Sequence, residues 1–408
     1  MKISVIGLGY IGLPTACLLV NAGHDVRGVD IDKRKTTAIQ KGRIPFEEKG
    51  LQTLLTRALR TKRLDVANTV SASEVYIIAV PTPEKNHKAD LQFVFSALNN
   101  VKNVMNKGNL IIVESTVYPG ACRDEIKPFL IKTGKQFLLA HCPERAIPGS
   151  TLFEMVHNDR IIGGDTKEAK QKTKELYRSF VKGKLFLTDT TTAEACKVME
   201  NTYRDVNIAL ANEYAKIAQE LHINVWEAIE LSNKHPRVNI HYPGPGVGGH
   251  CIPVDPWFFV GISKQAKLIR TARDVNDGMP SYVFNQLMNL IRKYKIRKPV
   301  VGILGLSYKK NVGDIRESPT ISMIKLMKKN HIHYFLHDPY VIDAYEGKKE
   351  LEEVLSLSNM ILIMTDHDVY KKVNFSKYRN LKYIFDTKNV ASQIQSVQVK
   401  LLGGNSTD

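Results

Sequence analysis

In the run Pro243-Gly-Pro-Gly-Val-Gly-Gly-His-Cys-Ile-Pro-Val-Asp-Pro256, a cysteine and an aspartate stand four residues apart behind a cluster of glycines. Glycines let backbone approach a ligand closely and place Cys251 in an exposed turn. The thiolate is the reactive form of cysteine, so a nucleophilic Cys251 needs a nearby cation or hydrogen-bond donors to lower its pKa from about 8.5. Asp255 is placed to act as a base or to orient water. The competing reading is a buried thiol in a glycine-rich loop, and that reading suits Cys17, Cys122, Cys142 and Cys196 better. Upstream, Lys197 and Asn201 are four apart and share one face of a helix. An ammonium and an amide on one stripe can stabilise negative charge developing on an oxygen. Alone this pair reads as a solvated face; beside the cysteine loop it gains weight.

A second constellation sits at the N-terminus. The apolar run Lys2–Ile6 meets Gly7-Leu8-Gly9-Tyr10-Ile11-Gly12, which opens a helix through Val20; a second strand, Val26–Val29, then ends at Asp30, eighteen residues beyond Gly12. The glycines permit a tight turn, backbone approach to a pyrophosphate and close helix–strand packing, while the helix N-terminus attracts phosphate charge. Asp30 can accept from a ribose 2′-hydroxyl and would repel a 2′-phosphate, so NAD is expected rather than NADP. The bland alternative is a plain glycine turn.

The elements that must position these residues follow from periodicity. Further β runs at Val75–Val80, Leu110–Val113, Phe137–Ala140 and Arg160–Ile162 alternate with helical stretches, predicting a doubly wound sheet over about the first 185 residues. Thr192–Leu221 keeps helical spacing without Gly or Pro and predicts a long spine helix and a candidate dimer surface; Val225–Asn233 predicts a second helix, ahead of a loop at His235–Asp255. Strands at Val300–Leu304, His333–Leu336, Met360–Met364 and Tyr383–Phe385 predict a second α/β layer, and the tail Gly403–Asp408 is expected to fray. The fold class is therefore α/β, with two Rossmann-like doubly wound domains (1–187 and 297–408) joined by a central helical domain (188–296).

Composition narrows the function classes. With 408 residues, 43% apolar and 24% charged, the chain is globular, not disordered, collagenous or coiled-coil. Five cysteines are too few for a disulfide framework, so free thiols in a reducing compartment are expected. The formal charge of +17 invites a nucleic-acid partner, but acidic and basic residues interleave without a polybasic run. No nucleic-acid partner is expected, and the charge suits an anionic small molecule. The glycines and proline within the first twenty residues argue against a signal peptide, and no later stretch reaches the ~18 apolar residues of a membrane span. A cytoplasmic protein without a membrane partner is expected.

Seven ordered segments carry a more specific likeness: Gly7–Gly12, Val80-Pro-Thr-Pro83, Glu114-Ser-Thr-Val117, Cys142-Pro-Glu-Arg145, Lys197 with Asn201, Gly244–Asp255 and Gly313-Asp-Ile-Arg-Glu-Ser318. By these the chain resembles the UDP-glucose/GDP-mannose dehydrogenase family along essentially its whole length. The resemblance implies a four-electron oxidation of a sugar C6 alcohol to a carboxylate with two NAD per turnover. It implies that Cys251 captures the aldehyde as a thiohemiacetal and then carries a thioester that water cleaves. Lys197 and Asn201 would stabilise the oxyanions, and Asp255 with Glu144 would transfer protons through water that Thr116 helps to place. Cofactor contacts are implied for Gly7, Gly9, Tyr10, Ile11, Gly12, Asp30, Pro81, Thr82, Thr116 and, from the C-terminal domain, Arg316. Substrate contacts are implied for Glu144, Arg145, Lys197, Asn201, Gly248, Lys309 and Arg237, the last reaching a neighbouring subunit of a homodimer or larger assembly. No metal is assigned.

One departure bears on the substrate. UDP-glucose enzymes place Phe-Leu after the Pro-Glu, whereas this chain has Arg145-Ala-Ile-Pro-Gly149. With Asn201–Asn207 and Pro243–Trp257, this segment resembles most the family members acting on UDP-N-acetyl-D-mannosamine. A UDP-N-acetylhexosamine is thus the expected substrate: the manno epimer first, the gluco epimer as alternative, UDP-glucose after both. A nucleotide-sugar-binding module without turnover would be expected to lack Cys251, Lys197 or Asp255, and all three are present.

Overall fold

A computed structural model describes residues 1–147, 149–342, 344–391 and 397–404. Short β-branched runs separated by helices build two sheets and a small hairpin. The strands are β1 (Lys2–Ile6), β2 (Asp25–Val29), β3 (Leu64–Ala67), β4 (Val75–Ile78), β5 (Glu84–Lys85), β6 (Lys88–Ala89), β7 (Asn109–Val113), β8 (Phe137–His141), β9 (Arg160–Gly164), β10 (Leu185–Thr188), β11 (Val300–Leu304), β12 (His333–His337), β13 (Met360–Ile363), β14 (Tyr383–Asp386) and β15 (Gln398–Leu401).

The first sheet has the order β10-β9-β8-β7-β4-β1-β2-β3, with every pairing parallel except β8 with β9. β4 is buried throughout, as expected of a strand covered on both faces. Period-two alternation divides its side chains between two cores: Val75 and Ile77 join Ile3, Val5 and Ile112, while Tyr76 and Ile78 join Ile6, Ile111 and Leu139. The second sheet, β12-β11-β13-β14-β15, is wholly parallel. Its turn residue Gly305 has φ +101°, and a Cβ there would lie 2.4 Å from that of Thr365.

Between the sheets in sequence lies a helical region. The long helix runs Thr190–Glu220 and starts on Asp189, whose carboxylate accepts from the Thr192 backbone N–H (2.9 Å) and hydroxyl (2.6 Å). Val225–Ser232 follows, capped by Asn224, and then the helix Lys267–Lys293, which sequence patterning does not announce because Pro280 interrupts it. The fold class is therefore α/β, with parallel-sheet Rossmann-like domains at both ends and helices between.

The chain packs as two compact units: Met1–Glu200 with Trp257–Lys264, and Asn201–Pro256 with Gln265–Asp408. The tail departs from expectation at Gly403–Gly404. The Val225 N–H donates to the Gly403 carbonyl (2.9 Å) and Trp226 Nε1 to that of Leu402 (3.0 Å), so these residues are tied down. Residues 405–408, also expected to fray, lie outside the described residues. No helix among the described residues is long and apolar enough to cross a membrane.

Candidate active site

In the first unit the glycine turn follows β1. A Cβ on Gly7 would lie 2.3 Å from the Ala79 carbonyl oxygen, and one on Gly12 would lie 1.8 Å from that of Gly7, so both glycines serve the turn's own packing. A Cβ on Gly9 would meet nothing within 4 Å. That open side is where a pyrophosphate can back onto the chain. Ile11 caps the helix Gly12–Asn21 without a side-chain hydrogen bond; the Leu13 N–H donates to the Gly9 carbonyl (3.2 Å) and Pro14 has no N–H, so the helix offers an anion the positive end of its dipole more than a row of first-turn donors. Asp30, just past β2, accepts from the N–H groups of Leu8 (2.9 Å) and Asp32 (3.0 Å) and from Lys35 Nζ (2.7 Å). A carboxylate offers about four lone-pair sites, so a ribose hydroxyl can still be accepted. The residues fit a dinucleotide. Nearby, Ser115 Oγ accepts from the Val80 N–H (2.9 Å) and donates to the Val80 carbonyl (2.7 Å), locking the β4 end, with Pro81 and Thr82, to the β7 end, with Thr116.

Beyond β7 and β8 lies a buried charge cluster. Glu144 accepts from the N–H groups of Arg145 (2.7 Å) and Ala146 (2.8 Å) and pairs with Arg160. Arg160 also reaches Glu114 (3.4 Å) and lies over the Tyr177 ring at 4.7 Å. Burial pushes the Glu114 carboxyl up to about 7; Arg160 opposes this and Glu144 adds to it. Arg160 was not singled out in the sequence, although an arginine inside an apolar strand is a signal, since a buried charge must be paired. Arg145 forks onto Glu200 (2.7 and 3.0 Å) and donates to the Asp159 carbonyl (3.0 Å), contacts that engage three of its five N–H donors. Pro148 lies outside the described residues.

Lys197 is 9% exposed, with no ion pair among the described residues. Gly163 of β9 explains how close its helix comes: a Cβ there would lie 2.7 Å from that of Ala193, one turn before Lys197. His141, paired with Gly163 across the β8–β9 ladder, is fully buried, and among the described residues neither ring nitrogen meets a partner in good hydrogen-bond geometry. Burial holds its pKa down to about 3; the Val113 backbone opposes this and the Lys197 ammonium adds to it.

The second unit holds the cysteine loop. Asn201 is buried, donating Nδ2 to Asp255 (2.5 Å) and accepting from Arg204. The Asp255 N–H donates to the Cys251 carbonyl (2.9 Å), closing the turn that leaves Cys251 exposed. The loop start is fixed by Asn212 of the long helix, which accepts from the Gly244 N–H (2.9 Å). A Cβ on Gly248 would lie 2.5 Å from that of Tyr308 and 2.8 Å from the Glu317 carbonyl oxygen, and the Gly249 N–H donates to the Arg316 carbonyl (2.9 Å). The glycine run thus seats the loop against residues 308–319. Arg316 grips Asp314 (2.6 to 3.1 Å), and Lys309 is half-buried nearby in sequence. Burial, with Arg316 adding to it, lowers the His250 pKa, so the neighbour of Cys251 is neutral at pH 7. Arg237 is exposed, and its guanidinium has no ion pair among the described residues. Arg204 and Asp314 lie in motifs read from the sequence but, like Asn212, are given no role there, because each acts by holding another residue.

The sequence matches, in order, the NAD-binding domain (residues 1–181), the central domain (191–278) and the UDP-binding domain (302–393) of the UDP-glucose/GDP-mannose dehydrogenases. The chain belongs to this family. Its cofactor is NAD and its substrate is a UDP-sugar. A UDP-N-acetyl-D-mannosamine dehydrogenase of Methanococcus maripaludis is 45% identical to this dehydrogenase, covering 99% of this chain and 97% of that one. Among solved structures, the UDP-D-ManNAc dehydrogenase of Pyrococcus horikoshii matches with a TM-score of 0.94 and 39% identity over 99% of both chains. A UDP-glucose dehydrogenase of Pyrobaculum islandicum matches at 0.89 with 25% identity, over 99% of this chain and 98% of that one.

Proposed function

We propose that this dehydrogenase oxidises C6 of UDP-N-acetyl-D-mannosamine to the uronate, consuming two NAD per sugar. The observation that carries the reaction is the exposed Cys251 in a turn closed by Asp255, which in turn holds Asn201. NAD supplies the hydride acceptor. Gly7, Gly9, Tyr10, Ile11, Gly12, Asp30, Pro81, Thr82 and Thr116 hold it, with Arg316 from the C-terminal domain. Cys251 holds the C6 aldehyde as a thiohemiacetal and then carries the thioester, keeping the reactive intermediate from solution. Lys197, buried with no ion pair among the described residues, meets the oxyanion, and the second Asn201 amide N–H helps. Asp255 and Glu144 take and return protons through water placed by Thr116. Glu144, Arg145, Gly248, Lys309 and a neighbouring subunit's Arg237 serve the substrate.

The choice of sugar is supported by the relatives above and by the 144–149 segment. A site that pairs an acetamido group leaves polar atoms unmatched when UDP-glucose binds. The division at 1–187, 188–296 and 297–408, a cytoplasmic location and a homo-oligomer belong to the same reading. The oligomer is supported by the exposed apolar side chains Met199, Tyr203, Leu210, Tyr214 and Ile217. At 100° per residue they fall within about 60° of arc on the long helix. The test is a panel of UDP-sugars with NAD, following absorbance and weighing the product. UDP-N-acetyl-D-mannosamine is expected to exceed UDP-glucose at least about a hundredfold in kcat/KM. Equal or better turnover of UDP-N-acetyl-D-glucosamine overturns the choice of epimer.

A further inference from the structure

Residues 144–147 and 149–151 are clamped where each stretch meets the body of the first unit, at Glu144–Arg145 and at Gly149–Thr151. At the first clamp, Arg160 holds Glu144, and Glu200 holds Arg145. At the second stands Glu48, from a loop about a hundred residues earlier. The Glu48 carboxylate accepts from the N–H of Gly149 (2.8 Å), the N–H of Thr151 (3.0 Å) and the Thr151 hydroxyl (2.8 Å). Glu48 is 7% exposed and forms no ion pair among the described residues, and its side-chain hydrogen bonds among them all go to this one turn. Its own loop is anchored in turn. Phe46 stacks on Tyr10 of the cofactor turn (centroids 4.2 Å apart), and a Cβ on Gly50 would lie 3.5 Å from Leu152. Between the clamps Ile147 is 43% exposed, with its N–H donating to Glu154 (3.2 Å).

A carboxylate buried without a cation is retained only where its hydrogen bonds compensate for lost hydration. Here they converge on the two residues that end the segment. A turn held by three charge-assisted bonds has one position, and residues displayed just before it inherit that position.

We propose that Glu48 is a positioning residue for sugar selection: by fixing the Gly149–Thr151 turn it sets where residues 145–147 stand relative to the C2 substituent of the bound sugar. This rests on the reading that the 144–149 segment faces the sugar. Removing the clamp loosens the displayed residues, so discrimination falls more than cofactor use. A role in stability alone changes the fraction of active enzyme, and that fraction cancels from a ratio of two substrates measured on one preparation.

The experiment measures kcat/KM for UDP-N-acetyl-D-mannosamine and UDP-glucose, KM for NAD and Tm in Glu48→Ala, Glu48→Gln and Thr151→Val. Thr151→Val keeps the shape, removes one of the three bonds and stands in if the alanine variant fails to fold. The double variant Arg145→Phe, Ala146→Leu tests the segment itself. Expected is a fall of at least about tenfold in the substrate ratio for Glu48→Ala, a smaller fall in the other two single variants, and KM for NAD within about threefold of the parent. If the double variant collapses the ratio while the Glu48 and Thr151 variants leave it unchanged, the positioning role is overturned and the segment reading stands. If neither moves it, the segment reading falls and the proposal with it.

Discussion

Cys251 is exposed, whereas Cys17, Cys122 and Cys142 are buried and Cys196 is half-buried. Burial pushes the Cys17 and Cys142 thiols up to about 12 and holds that of Cys122 well above its usual range, removing all three as nucleophiles near neutral pH. Cys251→Ala is therefore expected to abolish uronate formation, read by product mass, while calorimetry still detects NAD and UDP-sugar binding; near-normal turnover would assign the chemistry to another residue. Two other buried groups give a pH signature. The Glu114 carboxyl, raised from 4.5 to about 7, contributes stability that is full below about 4.5 and lost as pH rises through about 7. His141, lowered from 6.5 to about 3, contributes stability that is present above about 6.5 and lost as pH falls towards about 3. Between 4.5 and 6.5 the two slopes oppose each other, each at most about 1.4 kcal/mol per pH unit. Relative to the parent, Glu114→Gln is expected to lose stability, and His141→Asn to gain it, as pH falls from 6.5 to 5; the check is urea unfolding at each pH. The residues proposed to touch ligands were legible because the chemistry assigned to them demands particular types at particular spacings. Arg160, Glu48 and His141 were not, because burial and partner choice are products of folding.

The backbone elements most exposed to substitution are those held by close approach. In β9, Gly163→Ala places a methyl 2.5 Å from the Asp189 carbonyl oxygen and 2.7 Å from the Ala193 Cβ, at the start of the long helix. Overpacking of this kind is worth about 1–3 kcal/mol. Because Lys197 lies one turn further along, kcat should fall together with Tm. In the cysteine loop, Gly248→Ala meets Tyr308 and the Glu317 carbonyl, and is expected to reduce kcat at least about a hundredfold while NAD affinity changes little. Steady-state kinetics and thermal unfolding check both. The buried strands and the long helix were readable because their patterns are unmixed. The strands β3, β10 and β15 and the two-residue strands of the β5–β6 hairpin were missed. β3 and β10 are sheet edges with exposed Asp65, Phe186 and Leu187, and β15 alternates polar with apolar residues over only four positions. The antiparallel entry of β9 carries no local signal either, since strand direction is set by connections rather than composition.

For the whole molecule, the apolar stripe on the long helix leads to a test of assembly. Tyr203→Asp with Leu210→Asp is expected to shift the protein to a smaller species in light scattering, with the Arg237-dependent part of activity lost along with it. An unchanged mass would place the interface elsewhere. The course of the chain has a consequence of another kind. The first compact unit is not continuous: it needs Trp257–Lys264, where Trp257 lies against His87 of the β5–β6 hairpin with centroids 3.9 Å apart and ring planes tilted by 41°, and Gly261 packs beside the His87 carbonyl. A ribosome that has just translated Glu200 has therefore made an eight-stranded sheet whose hairpin still lacks its cover. At about 5–20 residues per second, that cover emerges roughly 3–13 s later. The cofactor-binding unit is thus completed during synthesis only after the whole cysteine loop has been made.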